Sequence, residues 1–159
     1  MNTVPHTANA SARPAPLAQM RSSASWFVGQ ATLPGHQTVL GFVDEFQADL
    51  EWLVPRVEQL AAALPEGDGP ARMALAGVSE ARQRLDLPEA SGLQGEVRRV
   101  ERLARSVLAL CDHHDVLTGM VRCLVCDQRI EDDAWTPYDK VSPSGGAIRA
   151  GRIHQGCAP

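Results

Sequence analysis

The sequence predicts a mainly α-helical fold, an antiparallel three-helix bundle with a small zinc-bound β-hairpin module at its C-terminus. Two observations support this prediction. Apolar residues recur every three or four positions through residues 37–117, which is the spacing of one helix face. Beyond residue 119 that period ends, and two Cys/His pairs with the spacing of metal ligands follow. We therefore expect a disordered tail over residues 1–35, the bundle over 36–118 and a Cys3His zinc module over 119–159.

The first 35 residues have the composition of a disordered segment. They contain four prolines among small and polar residues, with two arginines and no acidic residue. Such a segment buries too little apolar surface to offset the entropy that is lost on ordering. Trp26, Phe27 and Val28 are the exception, because they are three large apolar residues in a row. They either pack back onto the helices, which we favour, or form a short motif that docks on a partner.

Three amphipathic helices are predicted, joined by short turns that favour antiparallel packing. The first covers residues 37–64 and ends at the Pro- and Gly-rich turn over 65–70. The second covers about 70–86, and the third runs from about 92 to 117, where Gly119 marks its end. The first helix has the longest apolar seam, which consists of Val43, Phe46, Leu50, Leu53, Val57, Leu60 and Leu64.

Four residues near the C-terminus have the pattern of a tetrahedral zinc site. Cys123 and Cys126 form one pair, His154 and Cys157 form the other, and 27 residues separate the pairs. Residues with β propensity lie between them, divided by a Ser-, Pro- and Gly-containing turn over 142–146. Each pair can reach one Zn²⁺ ion from a tight turn, with the intervening segment folded as a hairpin.

The zinc is expected to be structural. Four protein ligands close the coordination sphere, whereas a catalytic zinc keeps one position for water. A redox-active CxxC pair and four unrelated cysteine and histidine residues are the alternatives. The redox reading is disfavoured because a second spaced pair supplies the remaining ligands.

Two further groups invite a functional reading. Cys111 and His114 lie one turn apart on the third predicted helix, so they could hold a second metal, although a buried thiol and a helix-end histidine are favoured. Arg98, Arg102 and Arg105 share one face of the same helix and could contact phosphates. Acidic residues interrupt this stripe and no aromatic residues interleave with it, so a solvated helix face is favoured.

Four segments of the helical region carry a resemblance to a known family, namely LVPRVEQL at 53–60, PARMAL at 70–75, EARQRL at 80–85 and RLARSVLALCD at 102–112. Through them, about half of the chain resembles an uncharacterised actinobacterial family of small helical proteins, loosely described as natural-product-biosynthesis proteins. The resemblance spans about residues 40–115, and the zinc module lies outside it. It implies a cytoplasmic helical bundle associated with specialised metabolism, and it implies no catalytic residues.

These features indicate a small non-enzymatic protein that acts in protein–protein interaction or regulation. The chain contains no P-loop, GxGxxG or GxSxG motif, so catalysis ranks third. A nucleic-acid-binding regulator that uses the three arginines and the zinc module is the alternative. The net charge of −4 argues against nucleic acid as a partner.

The partner is expected to be an unidentified protein, or a second copy bound through the helix over 37–64, where Trp52 points away from the seam. No membrane contact is expected, because no stretch approaches the roughly 18 consecutive apolar residues of a membrane span. The N-terminus lacks the apolar region of a signal peptide, so we expect the protein to be cytoplasmic.

Overall fold

The computed structural model describes residues 16–131, 134–141 and 148–159. Its helical part contains four helices, α1 Leu17–Val28, α2 His36–Ala62, α3 Gly69–Leu85 and α4 Gly92–Leu117. The mainly helical prediction is therefore confirmed, whereas the count of three helices is wrong by one. The additional helix, α1, lies in the segment that was expected to be disordered. Residues 1–15 of the expected tail and the turn expected over 142–146 lie outside the described residues.

The bundle is built around the pair α2 and α4, which pack against each other along most of their length. Helix α1 packs chiefly on α4, and α3 packs on both α2 and α4. The core at their centre is aliphatic with few aromatic rings, as the composition predicts. Its largest fully buried side chains are Phe46, Met20, Leu50, Leu53, Leu103 and Leu110.

Helix α1 forms because its few apolar residues fall on one face. Met20, Ala24 and Phe27 are spaced by four and three positions and are all buried. The Phe27 ring meets the edges of Phe42 and Phe46 in α2, at centroid distances of 5.2 and 6.0 Å. The composition of this segment did not predict a helix. Three side chains are nevertheless enough to hold it, because they lie on one face and pack against the other helices. Trp26 stacks on Phe42 but remains 50% exposed.

The helix ends follow recognisable capping rules. Asp68 accepts a hydrogen bond from the Ala71 N–H and so caps α3. At the end of α4, Gly119 takes a φ of 72° and its N–H donates to the Val116 carbonyl, while the Met120 N–H donates to the Asp115 carbonyl. This is a Schellman motif, and it fixes the direction in which the chain leaves the bundle.

The C-terminal module contains an antiparallel hairpin of β1 Trp135–Val141 and β2 Ile148–His154, followed by a short 3-10 turn over Gln155–Cys157. Trp135 pairs with His154, so the hairpin brings its first residue beside an expected metal ligand. The Arg152 guanidinium lies 4.0 Å from the centroid of the Trp135 ring. The predicted hairpin is therefore present. Among the described residues, no helix is long and apolar enough to cross a membrane.

Candidate metal centre

The first cysteine pair sits on a tight turn directly after α4. The Asp127 N–H donates to the Cys123 carbonyl at 2.9 Å, and the Cys123 N–H donates to the Gln128 carbonyl at 2.9 Å. Asp127 takes a φ of 58°, a left-handed conformation that Asp tolerates better than most residues. The turn thereby places the two sulfur atoms, Cys123 buried and Cys126 exposed, on the same side.

The second pair is supplied by the end of the hairpin. His154 is the last residue of β2, and Cys157 follows in the 3-10 turn. The Leu124 N–H donates to the Arg152 carbonyl at 3.0 Å, which fastens the first turn to β2. The His154 N–H also donates to the Cys123 sulfur at 3.4 Å. The two halves of the site are therefore joined by backbone hydrogen bonds as well as by their side chains.

The four side chains that the spacing predicts converge on one point. One atom from each of Cys123, Cys126, His154 and Cys157 lies within 4.8 Å of all the others. The Cys126 sulfur is 3.3 Å from Nδ1 of His154. In the described part of the chain, this is the one group of three or more Cys, His, Asp or Glu residues that is close enough to hold a metal ion.

The orientation of His154 suits metal binding. Its Nε2 atom lies 3.1 Å from the Arg129 carbonyl oxygen, which can only accept a hydrogen bond. In the neutral ring Nε2 therefore carries the hydrogen, and Nδ1 keeps a lone pair that faces the sulfur atoms. Histidine ligands in metal sites commonly donate their other ring N–H to a carbonyl in this way.

The thiols of the site differ in acidity. Burial raises the pKa of Cys123, but this effect is outweighed by hydrogen bonds from the backbone N–H groups of Cys126, His154 and Val125, and the pKa falls to about 6. Burial, together with the neighbouring sulfur atoms, raises the pKa of Cys157 to about 11. Hydrogen bonds to the Cys126 sulfur and to the Arg129 carbonyl raise the pKa of His154. Of Cys123 and Cys157, Cys123 is therefore the thiol that ionises more readily.

The other candidates from the sequence stand apart from this cluster. Cys111 is fully buried in the bundle, and burial raises its pKa to about 12. Burial also lowers the pKa of His114. Neither residue joins a group of potential ligands in the described chain. Arg98, Arg102 and Arg105 are all exposed, as expected for a solvated helix face.

Sequence reasoning missed the ion pairs that flank the site. Asp115, near the end of α4, is 5% exposed and pairs with Arg21 of α1 and with Arg122, the residue before Cys123. Arg21 and Asp115 are 94 positions apart, so no local pattern could connect them. The only signal in the sequence was an acidic residue, Asp115, on a mainly apolar face of the third predicted helix.

The helical part of the chain can be assigned to a family. Residues 18–119 match one that is described as a family of unknown function (DUF6415). The matched range contains nearly all of the four helices and ends at Gly119, so it includes none of the four clustered residues. No curated protein and no solved structure matches the chain. Because the match covers more than half of its length, the chain belongs to this family of unknown function, DUF6415.

Proposed function

We propose that Cys123, Cys126, His154 and Cys157 bind one zinc ion, and that the ion holds the C-terminal module of a non-enzymatic interaction or regulatory protein together. The convergence of the four ligand atoms within 4.8 Å carries this proposal. A tetrahedral zinc ion with Zn–S bonds near 2.3 Å requires sulfur atoms about 3.8 Å apart. Small adjustments of the side chains would therefore bring all four atoms into range.

The composition of the module supports a structural role for the ion. Over residues 120–131, 134–141 and 150–159, only Cys123 and Ile153 are buried. So small a core does not hold about forty residues together without a staple. Four protein ligands would also leave no position for a substrate or a reactive water, which argues against a catalytic metal. The three cysteines of the site, Cys123, Cys126 and Cys157, are free thiols, which metal ligation in a reducing cytoplasm requires.

The interaction role is supported by apolar side chains on the surface that a partner could cover. Exposed apolar side chains are spread over the bundle and the module, including Trp26, Met73 and Val125. The partner is proposed to be a protein, in the setting of actinobacterial specialised metabolism that the sequence resemblance implies. A homodimer through α2 would have to use its outer side, because the seam from Val43 to Val57 is buried within the chain. Trp52 is half-buried there, under the guanidinium of Arg56.

A nucleic-acid-binding regulator is the second candidate. One observation favours it, namely the exposure of Arg98, Arg102 and Arg105 along α4. The net charge of −4 opposes it, because phosphate contacts are what supply non-specific affinity. A salt-sensitive complex with DNA or RNA that Arg102→Glu weakens would favour this candidate over the interaction protein.

Removal of the metal tests the proposed role of the ion. Treating the purified protein with a chelator should remove amide-exchange protection from residues 123–130 and 150–157, because metal binding and folding are coupled in such modules. The helical circular dichroism of the bundle should persist, since its core is separate from the metal ligands. One equivalent of Zn²⁺ should restore the protection. A module that stays protected after its metal has been removed would contradict the proposal.

A further inference from the structure

We infer that Arg122 is a positioning residue of the metal centre, and that through Asp115 it couples metal binding to the docking of α1. This inference rests on the proposed zinc site and concerns how that site is regulated. It is carried by a chain of contacts from the first cysteine turn, through the end of α4, to α1.

The first contact fixes the cysteine turn. Arg122 donates from Nη1 to the Asp127 carbonyl at 2.8 Å. Asp127 follows Cys126 directly and has the left-handed conformation on which the turn depends. The side chain of Arg122 therefore closes a loop around Cys123 and Cys126, and fastens the turn that presents both sulfur atoms to one ion.

The second contact fixes that turn to the bundle. The Nε atom of Arg122 donates to Oδ2 of Asp115 at 2.7 Å. Asp115 also supplies its backbone carbonyl to the Schellman motif, through a 2.8 Å hydrogen bond from the Met120 N–H. The same residue thus sets the direction in which the chain leaves α4 and anchors the side chain that shapes the metal site.

The third contact extends the chain to α1. Nη2 of Arg21 donates to the same Oδ2 atom of Asp115 at 2.7 Å, and Nη1 of Arg21 pairs with Asp112. The side chain of Arg21 is 12% exposed and that of Asp115 is 8% exposed, so solvent screens this pair little. Arg122 and Arg21 donate to the same oxygen, so Arg122 holds the Asp115 carboxylate in the orientation from which it also accepts the hydrogen bond from Arg21.

Thermodynamic linkage then requires a reciprocal effect. If an ordered Arg122 favours both metal binding and the docking of Arg21, the metal must stabilise α1 and the docked α1 must raise metal affinity. The short helix α1 is suited to respond, because only three of its residues, Met20, Ala24 and Phe27, are buried. Loss of the metal would loosen α1 and expose the part of the core that it covers.

Two measurements test the inference, zinc affinity by competition with a chelating dye and amide exchange of α1 with and without zinc. Arg122→Gln should weaken zinc binding about tenfold, the lower end of the effect of partners that orient metal ligands. In the wild type, zinc removal should speed exchange at residues 20–27. In Arg122→Gln these amides should exchange faster even with zinc bound, and should respond less to its removal.

Arg72→Gln is the matched control. It makes the same change of charge and side chain, but Arg72 is exposed on α3, outside the metal site. It should bind zinc as the wild type does. Arg122→Lys should behave like Arg122→Gln, because lysine keeps the charge but cannot make both contacts from one planar group.

Each outcome bears on a separate claim. A wild-type protein that binds no zinc refutes the proposed metal site itself. Wild-type protein that binds zinc while Arg122→Gln binds it equally well refutes only the positioning role. Exchange in α1 that is the same with and without zinc in the wild type overturns the coupling, and this measurement holds even if Arg122→Gln does not fold.

Discussion

At the scale of single residues, the most unusual side chain in the bundle is Asp49. It lies on α2 among core residues, is 5% exposed, and its Oδ2 atom has no hydrogen-bond partner. Burial raises the pKa of this carboxyl to about 7, and the charge of Glu45 one turn earlier adds to the effect. A carboxylate in an unfolded chain titrates near 3.9, so folding favours the protonated form of Asp49.

The sign of the resulting pH dependence follows from this shift. The folded pKa is raised, so the folded state binds the proton more tightly than the unfolded state. The stabilisation by that proton is complete below about pH 4 and declines as the pH rises through about 7. We expect Asp49→Asn to remove this loss and to raise the free energy of unfolding at pH 8 by about 1 kcal/mol or more.

Urea unfolding at pH 5.5 and pH 8 measures this effect. Asp44→Asn is the control, because Asp44 lies on the same helix but is exposed. The control should keep the difference in stability between the two pH values that the wild type shows. If Asp49→Asn also keeps the full difference, Asp49 is not the buried titrating group.

At the scale of elements, α1 is a helix that the sequence pattern did not predict. Its residues include five serine and alanine positions and only a few large apolar side chains, so its composition is close to that of a disordered segment. The helix is stable because Phe27 packs against Phe42 and Phe46 of α2, and because the rest of its buried face packs on α4. Packing in three dimensions outweighs local propensity here.

Truncation of the buried ring measures how strongly α1 docks. We expect Phe27→Ala to lower the free energy of unfolding by about 3 kcal/mol, as is usual for a buried phenylalanine. Trp26→Ala, on the neighbouring half-exposed ring, should cost about 1 kcal/mol, because that ring loses one stacking contact and little burial. Chemical denaturation of both variants checks the order. Equal losses would mean that α1 is not anchored through Phe27.

At the scale of the whole molecule, the two parts differ in how far the sequence predicts them. The seams of α2 and α4 and the four clustered Cys and His residues were predictable, because both depend on short-range spacing. The extra helix and the ion pair between Asp115 and Arg21 were not, since that pair joins residues 94 positions apart. Leu75 of α3 is 45% exposed, whereas the smaller Ala74, Val78 and Ala81 are buried and make the contact of the helix.

The central claim is that the four clustered residues, and not Cys111, bind one metal ion. Native mass spectrometry of purified protein, with metal analysis of the same samples, tests it most directly. The wild type should carry one zinc ion per chain, Cys126→Ser should lose it, and Cys111→Ser should keep it because Cys111 is buried in the bundle away from the other thiols. A wild-type protein without metal, or zinc that is lost with Cys111→Ser and kept with Cys126→Ser, would contradict the account.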